Sequence, residues 1–222
     1  MSFSLSHGRE LDVTGYGLMW EELPPLEAGP IDLGSWFGPE RAHLPLELEI
    51  GSGKGTFLVQ QATKTPDLNY IGIEWAKAFW RYAADRARRH GLANVRLLRA
   101  EAGAFIRNYV RDNALRQIHI YFPDPWPKAR HHKRRLIQEP FLREAYRVLQ
   151  PGGIIRIATD HADYFQWMQE HVARTSDIYK VLPFESPESA GEGELVGTNF
   201  ERKYRREGRP FFSMVLKAIE RD

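Results

Sequence analysis

The sequence of 222 residues contains no cysteine. That absence excludes disulfides, thiolate nucleophiles and iron–sulfur clusters held by Cys ligands. No apolar run approaches the roughly 20 residues needed to span a bilayer. The first residues, MSFSLSHGRE, carry neither a cationic lead nor an apolar segment, so no signal peptide is expected. Internal repeats and low-complexity segments are absent too. The eight histidines show no H-E-x-x-H or comparable ligand spacing, so no metal is expected. What remains is ordinary globular composition, 42% hydrophobic and 27% charged, in a chain long enough to bury a full core. A cytoplasmic location fits this profile.

The formal net charge of +2 conceals an asymmetry. Residues 1–50 carry two Lys or Arg against nine Asp or Glu, whereas residues 51–222 carry 29 against 20. The basic part is clustered, and clustered cations favour a polyanionic partner.

Residues 1–43 are rich in Gly and Pro, with scattered aromatics (Trp20, Trp36, Phe37) and no lasting period. They read as an N-terminal arm, partly flexible, whose aromatics pack down. From Leu44 the pattern becomes strand, loop and helix in repeats. Strands are expected at 46–50, 69–74, 95–100, 117–122, 154–158, 179–184 and 211–219. Helices are expected at 56–63, 77–90, 102–111, 134–149 and 162–173, and residues 185–197 read as a loop. Such alternation implies one α/β domain over residues 44–222, a mostly parallel sheet covered on both faces. Ligands then bind beyond the carboxyl ends of the strands.

Glu49-Ile50-Gly51-Ser52-Gly53-Lys54-Gly55 runs from a strand through a glycine turn into a helix. Glycines there let the backbone approach a ligand and expose helix N-terminal N–H groups. The motif is neither a P-loop nor G-x-G-x-x-G. Glu74 ends the next strand, where a carboxylate can accept from a ribose diol. Glu101 ends the third, within reach of an adenine amino group, although Glu is also favoured in a helix first turn. These features describe a nucleoside cofactor, NAD or S-adenosylmethionine. Glu49 favours the second, because a carboxylate there suits a cationic methionine group and not a pyrophosphate.

Gln117 to Arg135, QIHIYFPDPWPKARHHKRR, is the most distinctive stretch. An apolar alternating strand breaks at three prolines in five residues, Pro123 to Pro127, which exclude both helix and ladder. Five Lys or Arg and two His follow within Lys128–Arg135. Asp124 and Trp126 are thereby held on a stiff loop at a strand end beside positive charge. Trp126 suits either stacking on a base or packing in the core.

The chain resembles the bacterial tRNA (guanine-N7)-methyltransferase family, TrmB. The resemblance rests on LELEIGSGKG (46–55), YIGIE (70–74), FPDPWPKARHHKRRL (122–136), ATD (158–160) and TNFERK (198–203), with IDLGSWFG (31–38) ahead of them. It implies the class I S-adenosylmethionine-dependent fold, Rossmann-like, with a seven-stranded mostly parallel sheet. It implies that Glu49, Glu74, Glu101 and Asp124 are cofactor positions, with the turn glycines Gly51 and Gly53. Asp124 is also at the catalytic position. Lys128, Asp160, Thr198, Asn199, Phe200 and Glu201 fall on tRNA-substrate positions. Glu101 departs from the family pattern, which has Asp or Asn there.

Arg130, Lys133, Arg134 and Arg135 are expected to track phosphates, with Arg202 and Lys203 in a second patch. Guanine N7 is already a lone-pair nucleophile, so alignment, worth roughly 7–11 kcal/mol, replaces base catalysis. A carboxylate near the base, Asp124 or Asp160, can hold the guanine N1–H and amino group and favour its developing positive charge, with Asp124 assigned the positioning role. N7 lies deep in the narrow groove of A-form RNA, so an exposed nucleotide is required, and guanine 46 of the tRNA variable loop, the family's target, meets that need. The expected partner is tRNA, with no membrane and with monomer and homodimer both open. The rivals are a nucleic-acid amino-methyltransferase, a tRNA-binding module without catalysis and a nicotinamide oxidoreductase. The missing cysteine excludes a cytosine-C5 enzyme.

Overall fold

Residues with period-two apolar spacing form strands and those with helical spacing form helices in the computed structural model, which describes residues 10–220. The first nine residues of the expected arm lie outside the described residues. The strands are β1 (Gly17–Met19), β2 (Leu46–Ile50), β3 (Asn69–Ile73), β4 (Val95–Arg99), β5 (Leu115–Tyr121), β6 (Leu149–Thr159), β7 (Tyr179–Leu182) and β8 (Phe212–Ala218). They make one sheet in the order β1-β4-β3-β2-β5-β6-β8-β7. β1 to β6 run parallel, while β8 is antiparallel to both β6 and β7.

The helices are α1 (Thr56–Lys64), α2 (Lys77–Arg89), α3 (Ala102–Tyr109), α4 (Glu139–Val148), α5 (Ala162–Ala173) and α6 (Asn199–Arg206). Alternation within strands assigns the faces. Leu48, Ile50, Ile118 and Ile120 join one core with residues of α3, α4 and α5. Leu58, Ala62, Trp80 and Ala84 pack with Tyr70, Val95 and Leu97 on the opposite face. The chain leaves β2 in one direction through β3 and β4, then returns to β5 on the other side. Their carboxyl ends therefore frame the crevice where ligands of open α/β sheets sit.

Three differences from the sequence expectation have physical causes. The sheet has eight strands and not seven, because Gly17–Met19 of the arm pairs in parallel with Leu97, Leu98 and Arg99. Gly17 permits that approach: a Cβ there would meet the Trp80 ring at 2.8 Å. The helix expected at 134–149 starts at Glu139 instead, with Pro140 in its first turn. Residues 129–134 form a 3-10 turn. Finally, residues 199–206 are helical, opened by Thr198, whose side chain accepts from the Glu201 N–H at 3.0 Å.

Candidate active site

Two adjoining clefts of about 740 and 280 Å³ open at the carboxyl ends of β2 and β5. Gly51, Gly53 and Gly55 take φ values of +77°, +53° and +66°, which glycine alone adopts cheaply. A Cβ on Gly51 would meet nothing within 4 Å, so that turn faces open space. Glu74 braces it, accepting from the N–H of Gly53 and of Ala76, both at 2.8 Å. Burial pushes the Glu74 carboxyl up more than these donors pull it down, and Asp124 adds to the rise.

Glu49 is only 4% exposed, and its Oε2 has no hydrogen-bond partner among the described residues. Burial, and then Glu74, push its carboxyl up to about 8. A buried carboxyl oxygen without a donor is costly, and a bound ammonium group would satisfy it. Ser52 Oγ beside it is likewise buried without a partner. Glu101 lines the larger cleft as the N-cap of α3, accepting from Gly103 N–H at 2.9 Å and Ala104 N–H at 2.6 Å. Cap and cleft position coincide, since a carboxylate can accept further bonds. The pattern of acids around a glycine turn fits S-adenosylmethionine.

The proline loop leaves β5 under strain. Phe122 and Trp126 hold φ of +53° and +43°, rare for residues with a Cβ. Asp124 projects from between them, exposed, into the same cleft as Glu74 and Glu101. It has no hydrogen bond or ion pair among the described residues. Trp126 lines that cleft too; the Arg134 guanidinium sits 5.0 Å from its ring centre, and His131 meets it edge-on at 5.8 Å. Lys133 and Arg134 line the cleft wall, while Lys128 and Arg130 are exposed outside it.

Arg135, expected among the phosphate contacts, also lines the larger cleft but is otherwise enclosed. It is 2% exposed, donates to the Pro125 carbonyl at 2.9 Å, pairs with Asp163, and lies 5.0 and 5.2 Å from the ring centres of Tyr164 and Trp167. Its guanidinium thereby ties the proline loop to Asp163 at the start of α5.

Helix α6 closes the smaller cleft. Thr198, Asn199 and Phe200 line it, and Asn199 Nδ2 donates to Thr56 Oγ1 at 2.8 Å. Glu201, expected at a substrate position, is not among the lining residues of either cleft. It is fully buried and accepts from the N–H groups of Leu195, Val196 and Gly197, with Arg205 paired to it at 2.8 Å. It holds the chain that presents α6. Arg202 lines the smaller cleft but is engaged by Glu194 at 2.6 Å, and Lys203 lines it while pairing with Glu207 at 3.7 Å. Asp160 lines neither cleft; Arg209 neutralises it at 2.7 Å.

Residues 43–214 match the family model described as "Putative methyltransferase". A tRNA (guanine-N(7)-)-methyltransferase of Alkalilimnicola ehrlichii is 36% identical over 91% of this chain and 85% of its own. The chain belongs to the tRNA (guanine-N(7)-)-methyltransferase family. A second relative of that name, from Corynebacterium glutamicum, is 38% identical over 83% of this chain and 74% of its own. The solved structure of the 16S rRNA methyltransferase KamB superposes with a TM-score of 0.57 at 17% identity, covering 80% of this chain and 88% of that one. That likeness establishes the fold.

Within this tRNA (guanine-N(7)-)-methyltransferase family member, several cleft residues escaped sequence reasoning. Trp75, 68% exposed, lies beside Glu74 with the Arg99 guanidinium 5.8 Å from its ring centre. Phe79 and Tyr121 line both clefts. Tyr121 ends a buried chain: Arg116 pairs with Glu47, Glu47 accepts from His119 Nε2 at 2.8 Å, and His119 Nδ1 meets the Tyr121 hydroxyl at 2.8 Å. Burial alone would raise the Glu47 carboxyl, but the hydrogen bond and charge of His119, then Arg116, hold it below the usual range. The available signal was alternation, since Gln117, His119 and Tyr121 share one face of β5.

Proposed function

We propose that this chain transfers a methyl group from S-adenosylmethionine to N7 of guanine 46 in the tRNA variable loop, in the cytoplasm. The observation that carries this reading is the pairing of an unsatisfied buried acid with a free exposed one: Glu49 behind the glycine turn, Asp124 on the strained loop. The family's printed name supports the tRNA guanine target. A match that begins at residue 43 supports a methyltransferase domain over 44–222 with residues 1–43 as an arm upon it.

Bound S-adenosylmethionine would supply an electrophilic methyl on a cationic sulfur. Glu49 would hold its methionine ammonium, Glu74 its ribose diol and Glu101 its adenine amino group. Asp124 would accept from the guanine N1–H and amino group, fixing N7 in line and favouring the positive charge that the ring acquires. No proton is abstracted, because N7 carries none. Trp126, with Arg134 against its ring, lines the larger cleft and would flank an extruded base. Lys128, Arg130, Lys133 and Arg134 would meet the phosphates.

The test incubates the protein with labelled S-adenosylmethionine and unmodified tRNA bearing G or A at the target position. Digestion should yield 7-methylguanosine from the G substrate alone. tRNA binding with no transfer would favour a binding module, and label on an exocyclic amine an amino-methyltransferase.

A further inference from the structure

Five residues line both clefts: Gly51, Gly53, Phe79, Tyr121 and Phe200. Two are the turn glycines and the other three are aromatic. Each ring comes from a different element, α2, β5 and α6, and they converge on the seam where the two clefts meet. Phe200 lies directly over the turn, because a Cβ on Gly53 would stand 3.7 Å from its Cε2. Glu49, which lines the smaller cleft, has an oxygen without a donor.

Tyr121 is set there with care. Its hydroxyl turns inward to His119, whose other ring nitrogen serves Glu47, whose remaining oxygen takes Arg116. The register shift between Leu115 and Gln117 lies at Arg116, at the start of this chain. Phe57 meets the Tyr121 ring edge-on at 4.9 Å and the His119 ring at 4.7 Å. With its oxygen satisfied in the interior, Tyr121 offers the cleft a ring and not a hydrogen bond. A buried carboxylate and imidazole are an expensive way to anchor one hydroxyl in a core, so the orientation of that ring is what the buried chain specifies.

Aromatic faces attract cations electrostatically, and groups of rings around a cationic centre discriminate it from a neutral isostere. We propose that Phe79, Tyr121 and Phe200 form an aromatic cage for the sulfonium centre of the methyl donor, with the ring of Tyr121 oriented by His119 and Glu47. This inference rests on the methyl-donor reading above. The cage prefers the charged donor to the neutral thioether left after transfer, so it favours loading and release in the productive order.

Titration calorimetry without RNA tests it, comparing S-adenosylmethionine with S-adenosylhomocysteine, which differ by the methyl and its charge. Tyr121→Leu and Phe79→Leu should each weaken S-adenosylmethionine about fivefold while changing S-adenosylhomocysteine less than about twofold. Tyr121→Phe, which keeps the ring but cuts it from His119, should retain a ratio between those of the wild type and Tyr121→Leu. Phe200→Leu, on the partly exposed helix α6, supplies the same test should a core variant fail to fold. Equal losses for both ligands would mean a structural role only and overturn the cage. Discrimination in Tyr121→Phe as low as in Tyr121→Leu would assign the whole effect to the hydroxyl and overturn it as well. Failure of the wild-type protein to bind either ligand would instead refute the methyl-donor reading, and the cage with it.

Discussion

The Glu74 carboxylate accepts the Gly53 N–H at 2.8 Å, tying the end of β3 to the turn that follows β2. One side chain thus shapes the glycine turn and faces the larger cleft. Glu74→Gln keeps the size and one acceptor but loses the charge. Charged hydrogen bonds contribute about 1.5–3 kcal/mol, so S-adenosylmethionine should bind about 10- to 100-fold more weakly by calorimetry. Unchanged affinity would remove Glu74 from the cofactor site.

Glu49 predicts a pH dependence. Its carboxyl stands at about 8 in the fold against an ordinary value of 4.5. Between those values the folded state binds the additional proton, so stability declines as pH rises through the window. Urea unfolding from pH 5 to 8.5 should show this decline in the free protein and a flatter profile in Glu49→Gln. S-adenosylmethionine should bind more tightly as pH rises toward 8, because binding a cation releases that proton. Parallel stability profiles for the two proteins would refute the account.

Asp124→Asn should reduce methyl transfer by about 100-fold or more, the magnitude typical of a lost group that stabilises developing charge. Asp124 is exposed and makes no hydrogen bond or ion pair among the described residues. Its loss should therefore leave unfolding stability within about 0.5 kcal/mol of wild type. Turnover near wild type would reduce Asp124 to a bystander.

Lys133 and Arg135 should behave oppositely, although two positions apart. Lys133→Ala should lower the slope of log tRNA affinity against log salt by about 0.7–0.9, one phosphate contact. Arg135→Ala should leave that slope alone and cost about 2–4 kcal/mol of stability through its lost bonds and packing. Filter binding across a salt series and urea unfolding separate the two; a slope change in Arg135→Ala would restore it to the RNA surface.

The contrast between these two cations shows where sequence reading runs out. The glycine turn, the strand-end acids and the proline break are local signals, each fixed by residues within a few positions of one another. Arg135 is one charge in a run of five until Asp163, Tyr164 and Trp167, about 30 positions on, close around it. Glu201 falls on a substrate position by resemblance, and nothing in T-N-F-E announces that three preceding backbone N–H groups fold back onto it. The Tyr121 chain was not legible, because a buried alternating strand does not announce that Glu47, Gln117 and His119, brought together from two strands, hydrogen-bond with one another. β1 was missed because three residues pair with a strand nearly 80 positions away.

That small strand has a consequence for anyone who shortens the chain. The family match begins at residue 43, which makes a tempting boundary for a minimal version. Removing Gly17–Met19 would strip β4 of its neighbour and leave its outer N–H and C=O groups unpaired. Bare ladders of that kind recruit strands from other molecules. A trimmed protein would keep every residue of the clefts and still be prone to aggregate, so the arm acts as a guard on solubility quite apart from any part it takes in binding RNA.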